Sequence, residues 1–169
     1  MKFLIACILL ISMPLTGCAT EKQQPVLSYD ERTDLYETAI EAARDAVSNE
    51  TLPLIDDADD ADAEAVFDLL NLSAEDMNTY AISVSRANDK AYAVAAIFPA
   101  AGKQDAVLES LRRFMISQQH TFKDHLPDQY KVAVNTRLET LEDGTILLVM
   151  SENQDALFDS IRDTIELRK

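Results

Sequence analysis

Thirty Asp and Glu against fifteen Lys and Arg make carboxylate chemistry the first possibility to weigh. The run Asp56-Asp57-Ala58-Asp59-Asp60-Ala61-Asp62-Ala63-Glu64 offers the oxygen ligands that calcium prefers. Its spacing fails the EF-hand pattern, because Ala61 stands where the loop needs Gly and Phe67 where a bidentate Glu belongs. Acids leading into a helix are stabilised by its dipole, which accounts for the run without a metal. His120 and His125, the two histidines, would point about 140° apart on one helix and cannot share an ion. His120 could reach an ion with Asp124, but two ligands are too few. No metal or other cofactor is therefore expected. GxSxG and Gly-rich phosphate loops are absent, as a total of three Gly requires. An Asp/Glu pair for glycoside hydrolysis is available in any chain this acidic, yet there is no Trp and the five Tyr are scattered, so no sugar-stacking platform is visible. Arg86, Arg112, Arg113, Arg137 and Arg162 read as exposed partners of nearby carboxylates, with Arg112 or Arg113 the alternative seat for an anionic ligand.

The remaining reactive group is Cys18. Met1-Lys2 is a short positive start and Phe3 to Leu15 an apolar stretch too short to span a bilayer comfortably. Leu15-Thr16-Gly17-Cys18 then resembles the lipobox of bacterial lipoproteins. Small Thr16 and Gly17 let a peptidase reach the bond before Cys18, and the thiol takes a diacylglyceryl group. The expected cleavage lies between Gly17 and Cys18, with Cys18 as the lipid attachment site. Two acyl chains hold a protein on a membrane where one does not. Cys7 leaves with the leader, so the mature domain has neither a free thiol nor a disulfide. Its 152 residues (169 − 17) can bury roughly 70% of the unfolded surface without one. Removing Lys2 leaves 14 bases against 30 acids, net −16, which repels nucleic acid and disfavours polybasic membrane adhesion.

These groups must be positioned by a chain of 47% apolar and 27% charged residues, the composition of a folded globular protein. Residues 1–17 read as the lipoprotein signal, 18–28 as a tether, and 29–169 as one domain with a helical part over 29–71 and a core over 72–169. Leu35, Ala39, Ala42, Ala43, Ala46 and Val47 predict one helix from Asp30 to Val47, and a short helix follows the acidic run. Tyr80, Ile82 and Val84 predict a half-buried strand, Ala91 to Phe98 a central one stopped by Pro99, and Gln104 to Lys123 a long helix. Pro127 is read as a terminator, and the alternation of Val132, Val134, Thr136, Leu138 and Thr140 as a strand. Asp143-Gly144 predicts a two-residue hairpin turn into a strand over Thr145 to Met150, followed by a helix to Leu167. Gln104 to Arg112 matches Gln154 to Arg162 at an offset of 50, with five of nine residues identical. The resulting expectation is an α+β fold: a four-stranded antiparallel sheet from two β-β-α units, both repeat helices on one face, and the helix over 30–47 on the other.

The succession NLSAEDMNTYAISVS, AYAVAAIF, LRRFMISQQHTFKDHLP and DGTILLVMS, from Leu72 to Ile165, resembles a family of short Firmicute lipoproteins known as a domain of unknown function. That resemblance implies a Gram-positive envelope setting and carries no functional residue. The expected function is a lipid-anchored, non-enzymatic binding or interaction module on the extracytoplasmic face of the cell membrane, meeting a protein partner in the envelope. The alternative is an envelope-polymer hydrolase using an Asp/Glu pair. A two-lobed solute-binding protein is disfavoured by length. Cys18→Ala should leave the chain unprocessed or shed from membranes on fractionation; a processed variant that stays in the membrane fraction would refute the lipobox reading.

Overall fold

The computed structural model describes residues 27–168. The expected leader, Gly17, Cys18 and nearly all of the tether lie outside the described residues. Helix α1, Tyr29–Ala43, opens with a capping box in which the Glu31 N–H donates to Ser28 Oγ at 3.2 Å and the Ser28 N–H donates to Glu31 Oε2 at 2.9 Å. The Ser28 N–H and hydroxyl, both donating to Glu31 Oε2, hold that carboxyl below its usual pKa. The single helix predicted over 30–47 is two. Arg44 is extended, and Asp45 accepts the Ser48 N–H at 2.7 Å to start α2, Ala46–Thr51. A capping Asp competes with the helix that precedes it, so a stripe reading that ignores caps runs through the break.

Helix α3, Ala63–Leu70, leads through a single 3-10 turn into strand β1, Met77–Val84. Then come β2, Ala93–Pro99; α4, Gln104–Phe122; α5, Pro127–Val134; β3, Arg137–Thr140; β4, Ile146–Met150; and α6, Gln154–Leu167. Pro127 begins a helix rather than ending a region, since a proline at the first helical position forfeits no hydrogen bond. Val132 thus belongs to α5, where it and Ala133 face the core, and β3 keeps only four residues. The hairpin before β4 has three loop residues: the Leu141 N–H donates to the Thr145 carbonyl at 2.7 Å and the Gly144 N–H to the Leu141 carbonyl at 3.0 Å. Gly144 takes the left-handed conformation, φ 90°, that this loop demands.

The sheet is fully antiparallel in the order β1-β2-β4-β3. One face carries Ile82, Ala93, Ala95, Ile97, Ile146 and Leu148 under Phe67 of α3, Phe114 and Phe122 of α4, and Ala133 of α5. The other carries Ala81, Val94, Ala96, Leu147 and Val149 under Tyr36 of α1 and Phe158 of α6. Small residues of the inner strand meet large rings from the helices, so volume is filled on both sides. β1 is buried on both faces rather than half-buried. Its outer edge is met by Ile55, whose N–H donates to the Ile82 carbonyl at 2.7 Å.

The two repeat helices therefore lie on opposite faces, contrary to the expectation of one. Ile97 pairs with Ile146 across β2 and β4, and directly opposed residues point the same way. The offset of 50 maps Ile97 onto Leu147, the neighbour that points to the other face. Each strand sends its helix to the side that its own residue of the pair faces, so the strand–helix step is repeated while its placement is inverted. The helix α1 does cover the face opposite α4, sharing it with α6.

α1 is fastened there by a buried polar cluster. The Arg32 guanidinium pairs with Asp143 beside the hairpin, sits 4.2 Å from the Phe98 ring centre, and lies 3.4 Å from both Tyr36 Oη and Thr145 Oγ1. Burial alone would raise the Asp143 pKa, but the Thr145 N–H and hydroxyl and Arg32 outweigh it, so the carboxyl stays below its usual value. Asp143→Ala would leave the Arg32 cation buried without a counter-charge and should cost about 3 kcal/mol in chemical denaturation. A loss under about 1 kcal/mol would place the fastening elsewhere.

Candidate functional site

At the end of the sheet where β2 begins and β4 ends, a cleft of about 360 Å³ opens between the α1–α2 break and the start of α6. Its defining side chain is Arg44, only 9% exposed. The guanidinium is held entirely by neutral acceptors: Nε donates to Asn49 Oδ1 at 2.8 Å, and Nη1 to the Leu52 carbonyl and Ser83 Oγ, each at 3.0 Å. Among the described residues no carboxylate pairs with it. A buried cation without a counter-charge carries an unbalanced desolvation cost, and an arriving anion would relieve it.

Beside Arg44 and Ser83 lies the Tyr92 hydroxyl, buried and making no hydrogen bond of full geometry among the described residues, although both neighbours lie close enough to draw its pKa down against burial. Burial pushes its pKa up, so it is a neutral phenol with a proton to donate. Lys90 stands with its ammonium 5.4 Å from the Tyr92 ring centre, a cation–π contact. Asp45 starts α2 with one oxygen, Oδ1, and its carboxyl is kept below the usual pKa chiefly by the Ser48 N–H. At the opposite rim the Ser151 hydroxyl donates to Asn153 Oδ1 at 2.9 Å, the Asn153 side chain does not cap α6, and the Gln154 N–H donates to the Ser151 carbonyl at 3.2 Å. Two cations and a neutral phenol that can turn its proton outward can together receive one anionic group.

Residues 55–151, more than half of the chain, match the family described as Domain of unknown function (DUF4358). The chain belongs to the DUF4358 family. No curated protein and no solved structure matches it. The DUF4358 span takes in the whole sheet, with α3, α4 and α5, and omits α1, α2 and α6. The cleft straddles its limits: Lys90, Tyr92, Gln129 and Ser151 fall inside, while Arg44, Asp45, Glu152 and Asn153 fall outside.

In this DUF4358 protein the arginines singled out from sequence are mostly paired at the surface. Arg86 meets Asp62, Arg113 meets Glu109, Arg137 meets Glu139 and Asp159, and Arg162 meets Asp159 and Asp163. Arg112 is exposed and forms no ion pair among the described residues, and it lies outside the cleft. The acidic run turns back on itself, with the Asp59 N–H donating to Asp57 and the Asp62 N–H to Asp60. His120 is exposed on α4, and His125 falls beyond that helix. Among the described residues no three His, Cys, Asp or Glu gather as a metal site, and no helix is long and apolar enough to cross a membrane.

Arg32 and Arg44 were missed by sequence reasoning, which placed Leu35, Ala39, Ala42, Ala43, Ala46 and Val47 on the inner stripe. Leu35 and Ala39 are buried as expected, whereas Ala42, Ala46 and Val47 are exposed, and the buried face is completed by Arg32, Tyr36, Ile40 and Arg44, each four residues from the next. A cation at each end of an i, i+4 apolar row is the signal that could have exposed them. One carboxyl also stands out: Glu37 on α1 is pushed up to about 7, first by burial, then by its hydrogen bond to Asp56 and by the charges of Asp56, Glu41 and Asp34.

The sign of the Glu37 effect follows from its native pKa lying above the unfolded value of 4.5. The native state then binds more protons than the unfolded state, so stability falls as pH rises from about 4.5 to about 7 and is level beyond. Glu37→Gln should flatten this slope in thermal melts taken across that range and stabilise the chain above pH 7. An unchanged slope would show that Glu37 titrates normally.

Proposed function

We propose that this chain is a lipid-anchored protein of the extracytoplasmic membrane face whose domain is a non-enzymatic binding module, the binding being of an anionic group in the Arg44 cleft. The anchor is supported by Leu15-Thr16-Gly17-Cys18 directly after an apolar leader. The binding role rests on one observation, the buried Arg44 guanidinium without a carboxylate, next to a buried Tyr92 hydroxyl without a hydrogen bond of full geometry. Such a site is organised before its ligand arrives, because the backbone of Leu52 and the side chains of Asn49 and Ser83 hold the cation in place. A protein partner in the envelope would present its anionic group to the same cleft.

The hydrolase reading is favoured by Glu37 alone, a carboxyl held near neutral pKa beside Asp56 and so suited to general acid work. Glu37 does not line the Arg44 cleft. The two readings part in one comparison with the full chain in detergent. A binding module should gain thermal stability saturably from acetate at constant ionic strength, by roughly 2.7 kcal/mol at a hundred times Kd, and leave purified peptidoglycan intact. Cleavage of the polymer that disappears in Glu37→Gln would select the hydrolase instead.

A further inference from the structure

The cleft holds both signs of charge without letting them meet. Arg44 and Lys90 line it together with Asp45 and Glu152. None of these four belongs to an ion pair among the described residues, although arginines elsewhere on the same domain meet carboxylates readily. Opposite charges that share a small cleft normally collapse onto one another unless each is held apart. Three of the four are held. Arg44 is fixed by Asn49, Leu52 and Ser83, Asp45 by the first turn of α2, and Lys90 by the Tyr92 ring.

Resting on the anion-binding reading above, we infer that the ligand is a small zwitterion of the amino-acid class. Its carboxylate is received by Arg44 and the Tyr92 hydroxyl, and its ammonium by the carboxylates of Asp45 and Glu152. The cleft's own charges sum to zero, while the whole chain carries −15. A polyanion such as a phosphate ester would approach against that field, whereas a zwitterion of no net charge crosses it without penalty. The volume of about 360 Å³ is near the small end of ligand sites and suits an amino acid or a dipeptide. Leu157 and the Tyr92 ring supply an apolar wall for a side chain.

The test is thermal shift and calorimetry on the full chain in detergent, using the twenty common amino acids, the N-acetyl and amide derivatives of the best binder, acetate and inorganic phosphate. An amino acid should bind with both blocked derivatives weakened roughly ten-fold or more, the equivalent of one charge-assisted hydrogen bond. Tyr92→Phe keeps the ring and should weaken the amino acid and acetate alike. Glu152→Gln changes an exposed side chain and should weaken the amino acid several-fold while leaving acetate unaltered. An N-acetyl derivative that binds as tightly as its parent overturns the zwitterion and leaves the anion site standing. Acetate or phosphate binding with no response to any amino acid has the same meaning. No response to any of these probes overturns both readings.

Discussion

The second face of the sheet depends on the buried row formed by α1 and its C-cap, in which Arg32 and Arg44 stand at the two ends of Tyr36 and Ile40. Each guanidinium reaches a different part of the sheet. Arg32 grips the β3–β4 hairpin through Asp143, and Arg44 grips β1 through Ser83. A helix held only by apolar contacts can slide or rotate at little cost, because dispersion and burial are non-directional. Two charged ends with fixed partners remove that freedom. They also set the angle at which α1 lies over Ala81 and Ala96, residues small enough to admit Tyr36 and Phe158. The hairpin loop is drawn into the same arrangement, since Asp143 serves the Thr145 amide, the Thr145 hydroxyl and Arg32 at once.

The two arginines are held differently. Arg32 has a carboxylate and is internally neutral. Arg44 has only a carbonyl, an amide and a hydroxyl, so its charge remains available to whatever enters the cleft. In a chain with twice as many acids as bases, leaving a buried cation unpaired is a costly arrangement. The Tyr92 hydroxyl repeats the pattern with a second polar group left unsatisfied at the same place. Unsatisfied groups that cluster are more informative than isolated ones, because each would be relieved by the same ligand.

The DUF4358 span ends just short of the cleft's far wall. It supplies the sheet and the layer of α3, α4 and α5, whereas the layer of α1 and α6 comes from residues beyond it. Without those helices the face carrying Val94, Leu147 and Val149 would be an open apolar surface. The family span thus describes the half of the domain that carries the strands, and the flanking segments complete both the core and the site. Lys90 and Tyr92 lie on the strand half, Arg44 and Glu152 on the flanks, and neither half holds the charges of both signs with the phenol.

Local periodicity in the sequence determined the α+β class, the four strands in antiparallel array, the long helix from Gln104 and the last one from Gln154, because alternation and i, i+4 spacing are imposed by backbone geometry alone. It failed where one residue serves two masters. Asp45 ends one helix by beginning another, Pro127 starts a helix although prolines usually stop them, and Val132 fits either period. It also could not place the repeat helices, because amphipathicity says that a helix has an inner face but not which side of a sheet that face meets. Only the pairing of Ile97 with Ile146 decided this, by turning Leu147 to the opposite side. Arg44, Lys90, Tyr92 and Glu152 are spread over more than a hundred positions, with no spacing that marks them as a set. They become neighbours because β2 and β4 run antiparallel, so that the start of β2 meets the end of β4, and because α1 ends over the same spot; nothing short of the assembled sheet could show it.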